Sequence, residues 1–598
     1  MNQLQGEKYL WLMPNLNEHR EFILDIATKY KLSVPIAEFL YARGYQTKEQ
    51  IDDYLFSSFK KDVYHPGLMA GLNKAVERVQ RAIKDEEKIL IFGDYDVDGI
   101  TSSSILMLCL PALGAKINFY LPNRAKEGYG LSKKVVKRSA ENGYKVIITV
   151  DNGITAFEAA EEAEACGIDL IITDHHRPLE KLPKAYAIVD PAQEDCEYPF
   201  KYLAGVGVAF KFASLLFEKE KKELPVKVYE LLLLGTVADV VPLIGENRFW
   251  VRYGLRLINQ NQSYSFKVLK QNGNVSKPLV DSQDIGFSIT PQINALGRLE
   301  DPRKGVEFLI GSDKEAIDDI GMILFELNQT RKKIEREIFD EIEAEIEKKN
   351  IDIEKEKIIL AASDKWPTGV IGLVASRLCS KYCRPTLLFH LTKDGFAKGS
   401  CRSIKEFNIF NALEESKDLL EKYGGHSHAA GLSLKIENLT ELKSRLEFTA
   451  SQQLSEFDLT SKFALDAEIK LTDLNKKFLN DLLYLEPFGH QNSRPIFWLK
   501  NVVLIEKPKL LKDLHIKCSV FADGIVKPLI FFNRPELFAK LVQQTSEPFD
   551  LAVEVMENYW NGRSNTELLG FDVSGLKDAF KVKNQEEQIR PKNFPGIY

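Results

Sequence analysis

Asp94, Asp96 and Asp98 follow the apolar run KILIF, Asp151 follows KVIITV, and Asp174, His175 and His176 follow DLIIT. Carboxylates crowded together are costly: two of them about 4 Å apart repel by roughly 4 kcal/mol at an effective dielectric of about 20. Divalent cations remove that repulsion. Oxygen-rich ligands with one or two imidazoles suit Mg²⁺ or Mn²⁺ better than zinc, whose structural sites favour cysteine. Two such ions can activate a water, clamp the attacking and leaving oxygens of an in-line displacement, and neutralise phosphate, which points to phosphoester hydrolysis. DYDVDG also resembles the start of a calcium loop, but its twelfth position is Ile105 rather than the bidentate glutamate such a loop needs. A lone DxD or a lone pair of histidines would say little. Their shared placement after successive strands is the signal.

For these acids to meet, the strands must lie side by side. From Lys88 the chain alternates apolar strands (KILIF, KINFYLP, KVIITV, DLIIT, AYAIVD) with helices. Ser132 and Gly143 bracket one helix, and Thr155 with Glu158 is expected to cap another that stops at Gly167. Alternation of this kind predicts a mostly parallel α/β sheet, whose carboxyl edge is where ligands bind. All the acids above fall at that edge. A further acid, Asp239, sits in the apolar run LLLLGTVADVVPL, where a carboxylate is costly unless paired or metal-bound.

The rest of the chain divides by pattern. Residues 1 to about 60 read as short helices, with Pro35 near one helix start, Gly44 past its end, and Thr47 with Gln50 forming a capping box. Residues 61–311 hold the catalytic sheet. Residues 312–350 repeat apolar positions at a helical period from Ile317 to Ile346 and predict a long capless connecting helix. A smaller α/β domain is expected over 351–450, a β-barrel or sandwich of short alternating strands over 455–575, and a polar tail over 576–598.

At 598 residues the chain is too long for one core. No stretch has the roughly 18 unbroken apolar residues of a membrane span, and a cytoplasmic protein is expected. Seven scattered cysteines without a CxxC pair disfavour a disulfide framework or structural zinc. The net charge of -6 does not argue against nucleic acid, because an electrostatic footprint is local. One such footprint lies between Arg377 and Lys405, where seven basic residues (Arg377, Lys381, Arg384, Lys393, Lys398, Arg402, Lys405) meet one acid, Asp394.

FGDYDVDG (92–99), VDNG (150–153), TDHH (173–176) and GTVADVVPL (235–243) resemble the first four motifs of the DHH phosphoesterase superfamily. Within it the chain is most similar to the single-strand-specific exonucleases. INALGRL, GVIGLVASRL, GSCRS, GGHSHAAG and EPFG follow in that group's order, from 293 to 489. The resemblance implies a DHH-type parallel-sheet domain, a connecting helix, a DHHA1-type domain and an OB-fold-like β domain. It further implies that Asp94, Asp96 and Asp151 hold one metal ion, and that Asp98, Asp151, His175 and Asp239 hold the other. His176 would contact the scissile phosphate, with Asp174 orienting the imidazoles. Arg124, Ser400 and Arg402 match positions that contact a 5′ phosphate and Arg298 one beside the strand; Gly425 and His426 belong to the same substrate-binding set. Phe497, Trp498 and Trp560 are candidates for stacking on bases.

The implied activity is 5′-to-3′ degradation of single-stranded DNA to mononucleotides in repair and recombination, with a single-strand-binding protein and a helicase as partners. Two other readings compete: a phosphodiesterase for short oligoribonucleotides or cyclic dinucleotides, which the extra domain after 450 disfavours, and an inactive single-strand-binding scaffold, which the intact acids disfavour. The chain departs from the group's pattern in three places. Pro367 follows Trp366 where a histidine is usual, Cys401 replaces a glycine, and Gln491 and Ser493 replace a glycine and a proline.

Overall fold

The computed structural model describes residues 2–124, 127–544, 547–560 and 563–576. These fall into two compact units, one made of the described residues within Ser57–Leu459 and Pro487–Asn492, the other of those within Met1–Phe56, Thr460–Glu486 and Ser493–Tyr598.

The first unit holds the expected parallel sheet. Its five strands run in the order Lys116–Tyr120, Lys88–Gly93, Tyr144–Val150, Asp169–Thr173, Ala187–Val189, every neighbouring pair parallel. The central strands are buried almost throughout, which is why they read as unbroken Ile/Val runs rather than alternating ones. Helices Leu72–Lys84, Val97–Ala112 and Gly205–Lys219 bury apolar faces in the same core as Ile89, Ile91, Val146 and Ile148. Leu90, Phe92, Ile147 and Ile172 turn to the opposite face, against helices Lys133–Glu141 and Phe157–Ala165. Period-two alternation thus divides the sheet between two helical layers. The Phe157 helix is not capped as expected: Ala156 stands at its N-cap and no Thr155 capping bond forms.

The predicted connector is a 34-residue helix, Lys314–Glu347, with Ile317, Leu324, Ile338, Ile342 and Ile346 buried. It does have a cap, the Asp313 side chain accepting from the Glu315 N–H at 3.0 Å. Beyond it, Ile359–Ser363, Thr386–Leu391, Phe396–Arg402, Leu420–His426 and Ala429–Lys435 form a second five-stranded sheet, parallel only between its first two strands.

In the second unit, strands Phe497–Leu504, Phe549–Trp560, Arg563–Ser574, Ile525–Phe531 and His515–Ala522 pair in that order and close back on the first, forming a five-stranded barrel. Closure removes exposed strand edges. The N-terminal segment is not purely helical: Asn2–Gln5 and Leu10–Met13 form strands, and the latter pairs in parallel with Lys462–Ala464. Trp11 is fully buried there and donates through Nε1 to Asp572 at 3.0 Å. Phe497 is fully buried, against Phe478, rather than open to solvent. Trp498 is half-buried, bonded to Asp550 at 3.1 Å, and has Lys500 Nζ 3.9 Å from its ring centroid. The Trp560 side chain and the expected tail from 577 onward lie outside the described residues.

Candidate metal centre

The sequence-predicted acids are delivered by several local devices. Asp94 follows strand Lys88–Gly93. Asp96 caps helix Val97–Ala112, its side chain accepting from the Gly99 N–H at 3.1 Å. Asp98 accepts from the N–H groups of Gly205 and Val206 at 2.6 and 2.7 Å, the first turn of another helix. That approach requires glycine, because a Cβ on Gly205 would stand 2.7 Å from Asp151 Cβ and 2.8 Å from Asp98 Oδ2. Asp151 follows its strand with φ 61°, a strained conformation for a residue with a side chain. Asp239 is the first residue after helix Lys227–Ala238.

These devices converge. Ligand atoms of Asp94, Asp96 and Asp151 lie within 4.8 Å of one another, as do those of Asp98, His175 and Asp239, and those of Asp151, His175 and His176. His175 Nε2 stands 3.2 Å from Asp151 Oδ1, 3.6 Å from Asp239 Oδ2 and 3.7 Å from Asp98 Oδ2. It is buried yet makes no hydrogen bond, and Asp94 Oδ1 and Asp239 Oδ2 are buried without a donor as well. Orphaned buried polar atoms are costly. Cations seated among them would satisfy all three, and a donor set of carboxylate oxygens with one imidazole fits Mn²⁺ or Mg²⁺.

Electrostatics points the same way. Burial pushes Asp94 and Asp151 well above the usual carboxylate range, with Asp96 adding to the first and Asp98 to the second. Burial and then Asp239 push Asp98 up to about 7; burial and then Asp96 push Asp239 up to about 8. Burial and the neighbouring His176 charge draw His175 down, which keeps its imidazole neutral and able to ligate. His176 differs. Burial pulls it down, but its hydrogen bond to Asp174, at 2.7 Å, lifts it to about 9. Asp174 is buried, and bonds from His176 and from the Ile154 N–H outweigh that burial and hold its carboxyl below the usual range.

Arg124, Ser400, Arg402 and Gly425 line a cavity of about 390 Å³ together with Lys398 and Ile371. Arg402 donates to Ser400 Oγ at 3.2 Å and to Cys401 O at 2.7 Å. Arg298 donates to Gly369 O at 2.8 Å and does not line this cavity, but the Arg124 and Arg402 charges act on it. Burial, and then Arg124, lower Arg298 to about 10. Such a group of cations calls for an anion, and the planar guanidinium fork matches phosphate oxygens. His426 is exposed and sits apart from the cavity lining, under the influence of the His176 and Arg177 charges.

The basic stripe divides. Lys398 and Arg402 face the cavity, whereas Lys381 pairs with Glu343, Arg377 stacks on Phe339 at 3.8 Å, and Arg384 bonds backbone carbonyls.

Three family models match in order: the DHH family, N-terminal domain, over 88–236; the DHHA1 domain over 355–452; and the RecJ OB domain over 465–570. The single-stranded-DNA-specific exonuclease RecJ of Bacillus subtilis is 36% identical over 559 residues, covering 93% of this chain and 69% of that protein. The chain belongs to the RecJ family. Crystal structures of RecJ from Thermus thermophilus match over 95% of this chain. The complex with Mn²⁺ has a TM-score of 0.78 at 26% identity and is covered to 80%; the complex with Mg²⁺ has 0.72 at 25% and is covered to 79%.

In this RecJ-family chain several residues around the cluster escaped the sequence reading. Asn294, inside INALGRL, accepts from the Val97 N–H at 3.1 Å and so pins the start of the DYDVDG helix. Asp190 ends the AYAIVD strand and is fully buried; burial pushes it up to about 8. The strand-end rule that found the other acids would have found it too. Tyr129 donates to Asp151 O at 3.4 Å and meets the His176 ring edge-on at 6.2 Å, and no pattern in the sequence marks it.

Proposed function

We propose that this chain is a two-metal-dependent exonuclease that hydrolyses single-stranded DNA from its 5′ end to mononucleotides, in DNA repair and recombination. A metal-dependent exonuclease specific for single-stranded DNA is what membership of the RecJ family means. The direction is supported by the residues of one cavity: Arg124, Ser400 and Arg402, which match positions that contact a 5′ phosphate, line it together, in the same compact unit as the acidic cluster.

Asp94, Asp96 and Asp151 would hold one ion, and Asp98, Asp151, His175 and Asp239 the other. The ions, when bound, supply an activated water and neutralise charge on the scissile phosphate. The chain's own groups do the rest. Arg124, Arg402 and Ser400 hold a terminal 5′ phosphate, and Arg298 steadies the strand. Asp174 fixes the His176 ring through Nδ1, so Nε2 is the atom that meets the scissile phosphate and passes a proton to the leaving oxygen. Gly425, in the cavity lining, and the neighbouring His426 would border the strand. The barrel, a fold used for single strands, would add a second binding surface for single-stranded DNA. A single-strand-binding protein and a helicase would supply that substrate in the cytoplasm. No helix among the described residues is long and apolar enough to cross a membrane.

The test is an oligonucleotide labelled at either end. Mononucleotides should appear first from the 5′ end, a blocked 5′ end should resist, and initial loss from the 3′ end overturns the direction.

A further inference from the structure

Pro487–Asn492 packs within the same compact unit as the acidic cluster, although the chain on either side of it belongs to the other unit. These residues fold back on themselves. Gly489 and Asn492 exchange backbone hydrogen bonds at 2.9 and 3.0 Å, and the Asn492 side-chain amide donates to Pro487 O at 2.7 Å. Phe488 and Asn492 are buried.

Two hydrogen bonds tie the turn to its surroundings. The Leu243 N–H donates to His490 O at 2.9 Å, and Ser282 Oγ donates to Phe488 O at 2.6 Å. Leu243 is itself buried and stands at the far end of the loop that opens with Asp239. Val240, directly after Asp239, is 63% exposed, with φ 58°. The loop's end is gripped from both sides, by His490 on one and by Asn247, which donates to Pro242 O at 3.1 Å, on the other. Gly489 permits the grip, since a Cβ there would stand 2.6 Å from Leu243 Cδ1.

We propose that the Pro487–Asn492 turn is a positioning element for the metal centre, fixing Leu243 and thereby the loop that aims Asp239 at His175. The inference rests on the reading of Asp239 as a ligand. A side chain at 489 pushes Leu243 away, and the displacement passes through Pro242, Val241 and the exposed Val240 to the carboxylate of Asp239. The turn contributes no residue to the lining of the arginine cavity, so its expected effect falls on metal affinity rather than on DNA affinity. Residues that orient metal ligands typically change affinity about 10- to 100-fold when altered.

The experiment titrates Mn²⁺ into the full chain and follows the free-ion electron paramagnetic resonance signal. Gly489→Val should weaken one of two Mn²⁺ sites about tenfold or more. Adding Leu243→Ala, which makes room for the new side chain, should restore most of that binding, and the KM for single-stranded DNA should stay near its original value. Gly489→Ala, with a smaller intrusion, gives the same reading if the valine variant does not fold. Wild-type Mn²⁺ binding in both Gly489 variants overturns the role of the turn, as does a loss that Leu243→Ala fails to rescue. Asp239→Asn separates the two layers of the inference. If it weakens one site while the Gly489 variants do not, only the turn's role falls; if it leaves both sites intact, the ligand assignment falls.

Discussion

His176 donates through Nδ1 to Asp174 Oδ1 at 2.7 Å, and that carboxylate also accepts from the His175 N–H at 2.8 Å and the Ile154 N–H at 2.9 Å. One buried aspartate, which accepts from the His176 N–H as well at 3.2 Å, therefore fixes a ring and the backbone of both histidines. Its consequence for pH follows from the two shifts. His176 is raised to about 9 from an ordinary 6.5, so its pairing stabilises fully below 6.5 and is lost as pH rises through about 9. Asp174 is held below 3.8, so its share is present above that value and lost in acid. In melts of chelator-treated protein, the gap between wild type and Asp174→Asn should be widest at about pH 5 to 6 and narrow towards about pH 9. A gap that widens with pH contradicts the pairing.

Metal affinity should depend on pH as well. In the metal-free protein Asp98 titrates near 7 and Asp239 near 8, and a protonated carboxyl must lose its proton before it can ligate. Mn²⁺ affinity should therefore rise as pH passes through 7 and 8, with protons released on binding. Calorimetry in buffers of different ionisation enthalpy measures that release; none at about pH 7 would contradict the clustering.

Arg402→Ala should leave metal binding intact and raise KM for a 5′-phosphorylated strand. Hydrogen bonds to charged groups contribute about 1.5–3 kcal/mol, which corresponds to roughly a 10- to 100-fold change. For a strand ending in a 5′ hydroxyl the effect should be small. Equal losses on both substrates would move the phosphate elsewhere.

Lys211 and Glu246 form an ion pair with both side chains almost fully buried, and the Tyr198 hydroxyl and Trp250 Nε1 complete the glutamate's bonds at 2.6 and 3.1 Å. Lys211 lies on helix Gly205–Lys219, whose first turn holds Asp98. Lys211→Met strands a buried carboxylate and should destabilise the protein by about 3–5 kcal/mol in denaturant melts, while Lys211→Met with Glu246→Leu should recover most of it. A neutral single variant would mean that the glutamate is solvated.

The sheet and the position of its acids were legible because parallel strands with both faces buried leave unbroken apolar runs, and an acid directly after such a run can only sit at the sheet edge. KILIF, KVIITV and DLIIT behaved so. Other features left no such trace. The parallel pairing of Leu10–Met13 with Lys462–Ala464 joins segments some 450 residues apart, and pairing at that range has no local signature. Asp313 caps the long helix from just outside the periodic stretch, where the apolar repeat is silent. Charge in sequence does not reveal partners either: Lys381 of the basic stripe is consumed by Glu343 of the connecting helix. Phe497 shows the same limit for aromatics, since a barrel strand alternates its faces and only the pairing tells which is inside.

The central claim is that carboxylates and imidazole from separate strands form one seat for paired cations around Asp151. Anomalous scattering from Mn²⁺-soaked crystals tests it directly. Two peaks should flank Asp151 about 3.5–4 Å apart, one beside Asp94 and Asp96, the other beside Asp98, His175 and Asp239. A single peak, or manganese bound away from Asp151, would contradict it.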